Sequence, residues 1–373
     1  MTLAFRQAGA AAIAWAILCV CAWLGISRCM AADLSPMTTV AGQLAIVRSN
    51  TAAIQGNSRL AAAILQAVPR NHFVGRDIGY RRCMLGRFGN KSAAPKRPES
   101  GDPLVSSVLH TYQSYWWHSL MSPPDRDQQS VQLQRNLSVV LGEQTTIENW
   151  DVLEDRIATK LRERGYYSQL GVTPPLRELM IWRKQQSSQH QVELPEGSYP
   201  VRLEMLNDFV TRGWSSYARC DRSSNAGWAT QDRLYAVGPA FASGVNNDAF
   251  RASLLGHETQ HFADLTRYPN MASWELEYRA KLTELWMAQD SLTWLLGKFH
   301  RDQGDDKQVP HLFANKQVMH SLQAYLSAQG ATSREDLMDV APETLRAAAR
   351  EVLLQDSRVR EDVASVAVNR PRQ

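Results

Sequence analysis

Apolar residues recur at helical spacing through most of the first half of the chain. They predict two helices over residues 37–67, divided at residues 56–58. Further helices are predicted over residues 104–120, 131–141, 146–164 and 173–182. The last begins at Thr173 and Pro174, a capping residue followed by a proline that suits a first helical turn. The pattern predicts a helical N-terminal region over residues 33–185.

The hydrophobic period changes to two after residue 190. Val192 and Leu194 alternate with polar neighbours, a turn is indicated at residues 195–197, and residues 201–205 alternate again. This arrangement is typical of a β-hairpin. Residues 234–237 predict one more strand, which ends at a Gly-Pro pair.

Helical spacing returns after this small β region. Residues 246–248 offer N-caps for a helix that carries two histidines, and a long helix is predicted over residues 272–296. We therefore expect a mainly helical α+β protein with a second region over residues 186–373.

The N-terminus has the pattern of an export signal. Arg6 is followed by an uncharged, mostly apolar run over residues 7–27, and Ala31 and Ala32 offer a cleavage site. The run is also long enough to span a bilayer if it is retained. Residues 1–32 are thus predicted to be a signal peptide or a membrane anchor. In both cases the body of the protein is exported and is periplasmic, secreted or anchored.

Only two of the five cysteines lie in the body of the chain. These are Cys83 and Cys220, since the other three fall in or just after the predicted signal. In an oxidising compartment such a pair predicts one disulfide.

The net charge of +4 over 373 residues is too small for a typical nucleic-acid-binding protein. A basic segment at residues 70–97 could contact an anionic membrane or another surface of the cell envelope, or it could be a solvated loop. We expect no nucleic-acid partner.

The strongest chemical signal is the sequence His-Glu-Thr-Gln-His at residues 257–261. Because residues four apart lie on one face of a helix, His257 and His261 can present two imidazole nitrogens to one metal ion. Glu258 lies beside the first histidine and can take a proton from water. Nitrogen ligands, an open position and a carboxylate base are the requirements of a zinc hydrolase.

A catalytic zinc ion usually has three protein ligands, so a further residue is needed. The metzincin pattern is disfavoured, because Asp264 and Arg267 occupy the positions of its glycine and third histidine. Glutamates of the next helix are the alternative. At about 100° per residue, Glu277 and Glu284 both lie at the edge of the apolar stripe of this helix. Either residue could therefore be the third ligand.

An H-E-x-x-H motif followed by a glutamate on the next helix resembles the gluzincin metallopeptidases. Residues 277–280 (Glu-Tyr-Arg-Ala) are also similar to the E-x-x-A-D motif of the integral-membrane prenyl-protein proteases, although Lys281 replaces its aspartate. The likeness covers residues 254–285. It favours Glu277 as the third ligand and implies a zinc cofactor, a peptide or protein substrate, and a zincin-like core of a small antiparallel sheet and a metal-binding helix.

The resemblance also implies roles for other residues. Glu258 would be the general base that activates a zinc-bound water. The strand at residues 234–237 is a candidate to pair with an extended substrate. Asp264 could orient an imidazole. Candidates for stabilising the oxyanion are Tyr235, His311 and His320.

Two other functions are compatible with the same residues. One is a zinc amidase that acts on cell-wall material. The other is a metal-binding or scaffold protein of the cell envelope without catalytic activity.

Overall fold

The computed structural model describes residues 37–368, apart from short gaps at 91–92, 223–225, 231–232, 242–243, 245–246, 308 and 331–336, and side chains as far as residue 362. The predicted signal or anchor at residues 1–32 lies outside this part of the chain. Among the described residues, no helix combines the length and the apolarity that crossing a membrane requires.

Six helices precede the sheet. They are α1 (Val40–Ile54), α2 (Ser58–Ala67), α3 (Gly75–Phe88), α4 (Pro103–Met121), α5 (Arg126–Val140) and α6 (Trp150–Arg162). Side-chain caps fix the starts of α1, α2, α4 and α6; the Asp102 carboxylate, for example, accepts the backbone N–H groups of Leu104 and Val105. The predicted break at residues 56–58 and the helix over residues 104–120 are confirmed.

Five strands follow: β1 (Tyr167–Thr173), β2 (Leu176–Leu194), β3 (Gly197–Arg212), β4 (Gly227–Ala229) and β5 (Leu234–Val237). Their order in the sheet is β1-β2-β3-β5-β4. The pairs β1–β2, β2–β3 and β4–β5 are antiparallel, whereas β3–β5 is parallel. The predicted hairpin and the strand at 234–237 are confirmed, but the sheet is mixed and larger than the small antiparallel sheet that we expected.

The helix predicted over residues 173–182 is wrong, because this segment begins β2. Leu179 and Ile181 pack into one hydrophobic core, whereas Met180 and Trp182 pack into another cluster on the opposite face. A strand that is buried on both faces has a continuous apolar run, and its period of two is hidden in the sequence.

The C-terminal half returns to helices. These are α7 (Trp214–Ala218), α8 (Asp248–Phe250), α9 (His257–Arg267), α10 (Ser273–Met287), α11 (Leu292–Arg301), α12 (Pro310–Ala328) and α13 (Pro342–Val368). A π-helical turn at residues 251–256 joins α8 to α9.

The long helix predicted over residues 272–296 is broken between α10 and α11. Asp248 Oδ2 accepts the backbone N–H of Gln289 at 2.8 Å and of Ser291 at 2.9 Å, and it also accepts the Ser291 hydroxyl at 2.6 Å. A carboxylate from a distant residue thus takes the amide groups that would otherwise continue the helix.

The helices and the sheet enclose two main hydrophobic cores. One contains buried residues from Ala45 to Ala218, and the other contains buried residues from Val192 to Leu353. Strand β2 contributes to both and runs across the boundary that we predicted at residues 185 and 186, so the two regions share a strand. Residues Cys83 and Cys220 form the predicted disulfide, which joins α3 to the segment after α7.

Glu178 is a buried carboxylate in β2 that holds the start of α7. Its Oε1 atom accepts the N–H of Leu179 at 3.0 Å and of Trp214 at 2.9 Å. Gly213 has a φ of 88°, and a Cβ there would lie 2.2 Å from the same oxygen. Burial raises the pKa of Glu178 to about 7, although the two N–H groups act in the opposite direction.

We expect the change Glu178→Gln to remove a pH dependence of stability. The pKa of Glu178 is about 7 in the folded state and 4.5 in the unfolded state, so the folded state binds the proton more tightly. Stability therefore falls as the pH rises through this window, by roughly 3 kcal/mol for this group. Urea unfolding of both proteins at about pH 5 and about pH 8 measures the difference. Parallel pH profiles of the two proteins would contradict this account.

Candidate metal centre

Helix α9 begins at the first residue of the H-E-x-x-H motif. The spacing of four residues places His257 and His261 one above the other, and their Nε2 atoms lie 3.0 Å apart. Gly256 precedes them where α10 packs closely, because a Cβ at this position would lie 2.2 Å from the sulfur of Met287. The glycine therefore lets α10 approach the metal helix.

Helix α10 brings Glu277 to the two histidines. Glu277 Oε2 lies 3.6 Å from His257 Nε2, and Oε1 lies 3.4 Å from His261 Nε2. Zinc bonds of 2.0–2.1 Å in a tetrahedron place neighbouring ligand atoms roughly 3.3–3.5 Å apart. The three side chains therefore have the atom types and the spacing to hold a zinc ion, and together they form a group able to bind a metal.

Glu284 also reaches the site, but at the other side of His257. Its Oε1 atom lies 2.5 Å from His257 Nδ1. Glu277 and Glu284 are seven residues apart, so that both lie on the same face of α10. Glu284 thus orients the His257 ring with Nε2 towards Glu277. Of the two glutamates, Glu277 is the one that lies beside both Nε2 atoms.

The charges of the site follow from this arrangement. Burial lowers the pKa of His257, but the carboxylate of Glu284 outweighs burial and raises it to about 9. Burial raises the pKa of Glu277, but the bond to His261 and the neighbouring His311 hold it well below its usual range. A metal ion held at this position would therefore compete with a proton for His257.

His311 is the oxyanion candidate that the structure places at the site. It lies at the start of α12, with Nδ1 at 2.7 Å from Glu277 Oε2 and a side chain that is 68% exposed. His320 lies nine residues further along the same helix and is exposed. Nine residues correspond to half a turn beyond two full turns, so His320 lies on the opposite face of α12.

Tyr235 and the strand that carries it, β5, are not among the described residues that line the cleft beside the histidines. The Tyr235 ring stacks on Trp228 at 4.9 Å and packs in the cluster that contains Met180. Strand β5 has β3 on one side and β4 on the other, so the prediction that it pairs with a substrate is wrong. One edge of the described sheet is β1 and the other is β4, and β4 lines the cleft beside the histidines.

Asp264 has partners other than the imidazoles. It accepts a hydrogen bond from Gln260 Nε2 at 3.0 Å and from Arg279 Nε at 2.9 Å. It thereby ties α9 to α10, whereas Glu284 orients His257. The sequence contained the signal for this role of Glu284, namely its spacing of two helical turns from Glu277.

An open cleft of about 750 Å³ borders the metal-binding group. Glu258 lines it and is 9% exposed, so its carboxylate can meet a molecule in the cleft. Further lining comes from Arg219, Ser253 and Leu265, from β4, and from α10, α11 and α12. It combines apolar surfaces, such as Leu276, Leu295 and Phe299, with charged groups. A concave site with these properties is suited to a small ligand or an extended peptide.

Comparison of the chain with protein-family models, with curated proteins and with solved structures gave no match. The function proposed for the cleft therefore rests on the residues of this chain and not on a matched relative.

Three glutamates of α10 provide a matched test of the ligand assignment. Glu277→Ala should cause the largest loss of zinc affinity, because it removes a ligand atom. Glu284→Ala should weaken zinc binding by about 10- to 100-fold, because it leaves the ligands in place but frees the His257 ring. Glu275→Ala should leave zinc binding unchanged, since Glu275 pairs with Arg360. Zinc titration of the three variants measures these affinities.

The order of the three affinities decides the assignment. If Glu284→Ala lost more zinc affinity than Glu277→Ala, Glu284 would be the ligand and Glu277 the residue that orients the ring. A thermal unfolding curve of each metal-free variant shows whether the side-chain change has altered the fold.

Proposed function

We propose that this protein is a zinc metallopeptidase of the gluzincin type. The observation that carries the proposal is the position of Glu277, which completes a set of two nitrogen ligands and one oxygen ligand beside an open cleft. The carboxylate of Glu258 lies in the same cleft. The α9 helix, packed beside the β3–β5–β4 part of the sheet, supports a zincin-like core.

The residues of the cleft have different roles in the proposed hydrolysis of a peptide bond. A zinc ion held by His257, His261 and Glu277 would supply a Lewis acid that polarises the carbonyl group and makes water a better nucleophile at neutral pH. Glu258 accepts a proton from the attacking water and passes it to the leaving amine. Glu284 keeps the His257 ring in the orientation that the ligand set requires.

His311 is suited to stabilise the negative charge that develops on the carbonyl oxygen. Its exposed ring lines the cleft and lies against Glu277. An imidazole N–H aimed at the position of the oxyanion can contribute a hydrogen bond that strengthens in the transition state.

The edge strand β4 supports a peptide as substrate. Residues 226–229 line the cleft, and β4 is paired with β5 along its other side. The backbone groups on an open strand edge can pair with an extended chain, which is a recurring mode of peptide recognition. In this arrangement the scissile bond lies next to Glu258.

The disulfide between Cys83 and Cys220 supports an exported protein, because such bonds persist in oxidising compartments. With the apolar N-terminal segment it favours a periplasmic or secreted enzyme, or one anchored at the membrane. We also propose that the basic segment at residues 70–97 contacts the cell envelope.

The change Glu258→Gln tests the mechanism. The amide cannot accept the proton, so we expect hydrolysis to fall by about 100-fold or more, while zinc remains bound. A digest of a peptide library, followed by mass spectrometry, measures the activity, and metal analysis measures the zinc content. Removal of zinc with a chelator should abolish the activity of the wild type, and added zinc should restore it.

A parallel digest of cell-wall material separates peptide-bond hydrolysis from amidase activity on that polymer. Cleavage by Glu258→Gln at the rate of the wild type would refute the role of Glu258. A purified protein without zinc that also binds none in titration would refute the metal centre.

A further inference from the structure

Positive charges in the cleft are not explained by the proposed chemistry. The lining contains Lys281, Lys298 and Arg219 together with the carboxylates of Glu258, Glu277 and Glu284. Three cations balance three anions, so a divalent metal ion leaves two positive charges in excess when the histidines are neutral. A ligand that carries negative charge would offset this excess.

Lys281 is the cation nearest to the metal-binding group. It lies one helical turn after Glu277, and its side chain is 5% exposed. Its ammonium group is 3.8 Å from Glu277 Oε2 and 4.8 Å from the centre of the Phe299 ring. No other carboxylate of the described residues lies within ion-pair distance of it. A buried ammonium group needs a close anionic partner, and a metal ion would withdraw the charge of Glu277 from this role.

Lys298 lies beside Lys281 on the neighbouring helix α11. Its ammonium group is 5.9 Å from the centre of the same Phe299 ring, and its carboxylate partner Asp302 is 4.0 Å away. Burial and the charge of Lys281 lower the pKa of Lys298, whereas the carboxylates of Glu284, Asp302 and Glu277 act in the opposite direction. Two cations beside one aromatic ring repel each other, and an anion that lies between them would offset this repulsion.

Apolar groups border these two lysines. Leu276, Leu295 and Trp294 line the cleft, and the Trp294 side chain is largely exposed. The cleft thus offers an apolar surface next to a cationic one. This combination fits a ligand that has an apolar group and a carboxylate. The ammonium groups of the two lysines can donate hydrogen bonds to the carboxylate oxygens.

We propose that Lys281 and Lys298 form a carboxylate-binding subsite beside the metal centre, so that the enzyme selects peptides with a carboxylate close to the scissile bond. The inference rests on the proposed peptidase function. The carboxylate is either the C-terminal group of the substrate or the side chain of an Asp or Glu residue, and both share the same chemistry.

Binding of matched peptides tests the subsite without turnover. The protein is the zinc-loaded Glu258→Gln variant, in which hydrolysis is blocked. The probes are three N-acetylated hexapeptides: Ala-Ala-Phe-Leu-Ala-Phe with a free C-terminus, the same peptide with an amidated C-terminus, and the amidated peptide with Asp in place of its last Ala. Calorimetry measures the dissociation constant of each. We expect at least one carboxylate peptide to bind about 10-fold or more tightly than the neutral peptide.

Substitution of each lysine assigns this preference to the subsite. In the same background, Lys298→Met and Lys281→Met should each weaken binding of the preferred carboxylate peptide by about 10- to 100-fold and change binding of the neutral peptide by less than about 2-fold. Lys316→Met is the matched control, because Lys316 pairs with Asp305 away from the cleft. Zinc content and thermal unfolding of each variant show that the metal site and the fold persist.

The outcomes separate this inference from the proposed function. Equal binding of all three peptides, or an equal effect of Lys298→Met on charged and neutral peptides, overturns the subsite, even if the wild type hydrolyses peptides. A carboxylate preference that is lost in Lys298→Met supports the subsite, even if the wild type shows no hydrolysis. If the free-terminus peptide is preferred, the carboxylate is the C-terminal group. If the Asp peptide is preferred, it is an acidic side chain.

Discussion

The fully buried guanidinium group of Arg279 fixes the arrangement on which the metal centre depends. Arg279 extends from α10 and donates to Asp264 of α9 at 2.9 Å, to Glu196 at the β2–β3 turn at 2.7 Å, and to Asp356 of α13 at 2.7 Å. A buried charge is tolerated only where such partners surround it, and the loss of one partner of a buried pair costs about 3–5 kcal/mol. This network therefore fixes α9, α10, the hairpin and α13 relative to each other.

The same two helices carry the residues of the candidate metal centre. Because α9 and α10 are held side by side, the face of α10 that carries Glu277 and Glu284 meets the face of α9 that carries the histidines. One glutamate lies against the Nε2 atoms, and the other lies against Nδ1 of His257. Lys281 lies between them on α10, and it borders the open cleft rather than an apolar core.

Several parts of the fold could be predicted from local patterns. Apart from α3, which lies in the basic segment that we considered as a solvated loop, the helices before residue 165, the hairpin and the break at residues 56–58 are encoded by periodicity, turns and caps within a few residues. The segment at residues 173–182 could not be predicted in this way, since its continuous apolar run at residues 179–182 suits a strand between two cores as well as a helix. The end of α10 could not be predicted either, because it depends on Asp248, about forty residues away.

The sequence by itself determined the two histidines and the adjacent glutamate, since their relation is set by the pitch of one helix. It also determined the disulfide, because only two cysteines remain in the body of the chain. Only the tertiary structure decided the different roles of Glu277 and Glu284, the partners of Asp264, and β4 rather than β5 as the edge beside the cleft. The physical reason is that these relations join residues of separate elements, and packing of the elements, rather than spacing along the chain, sets the distances between them.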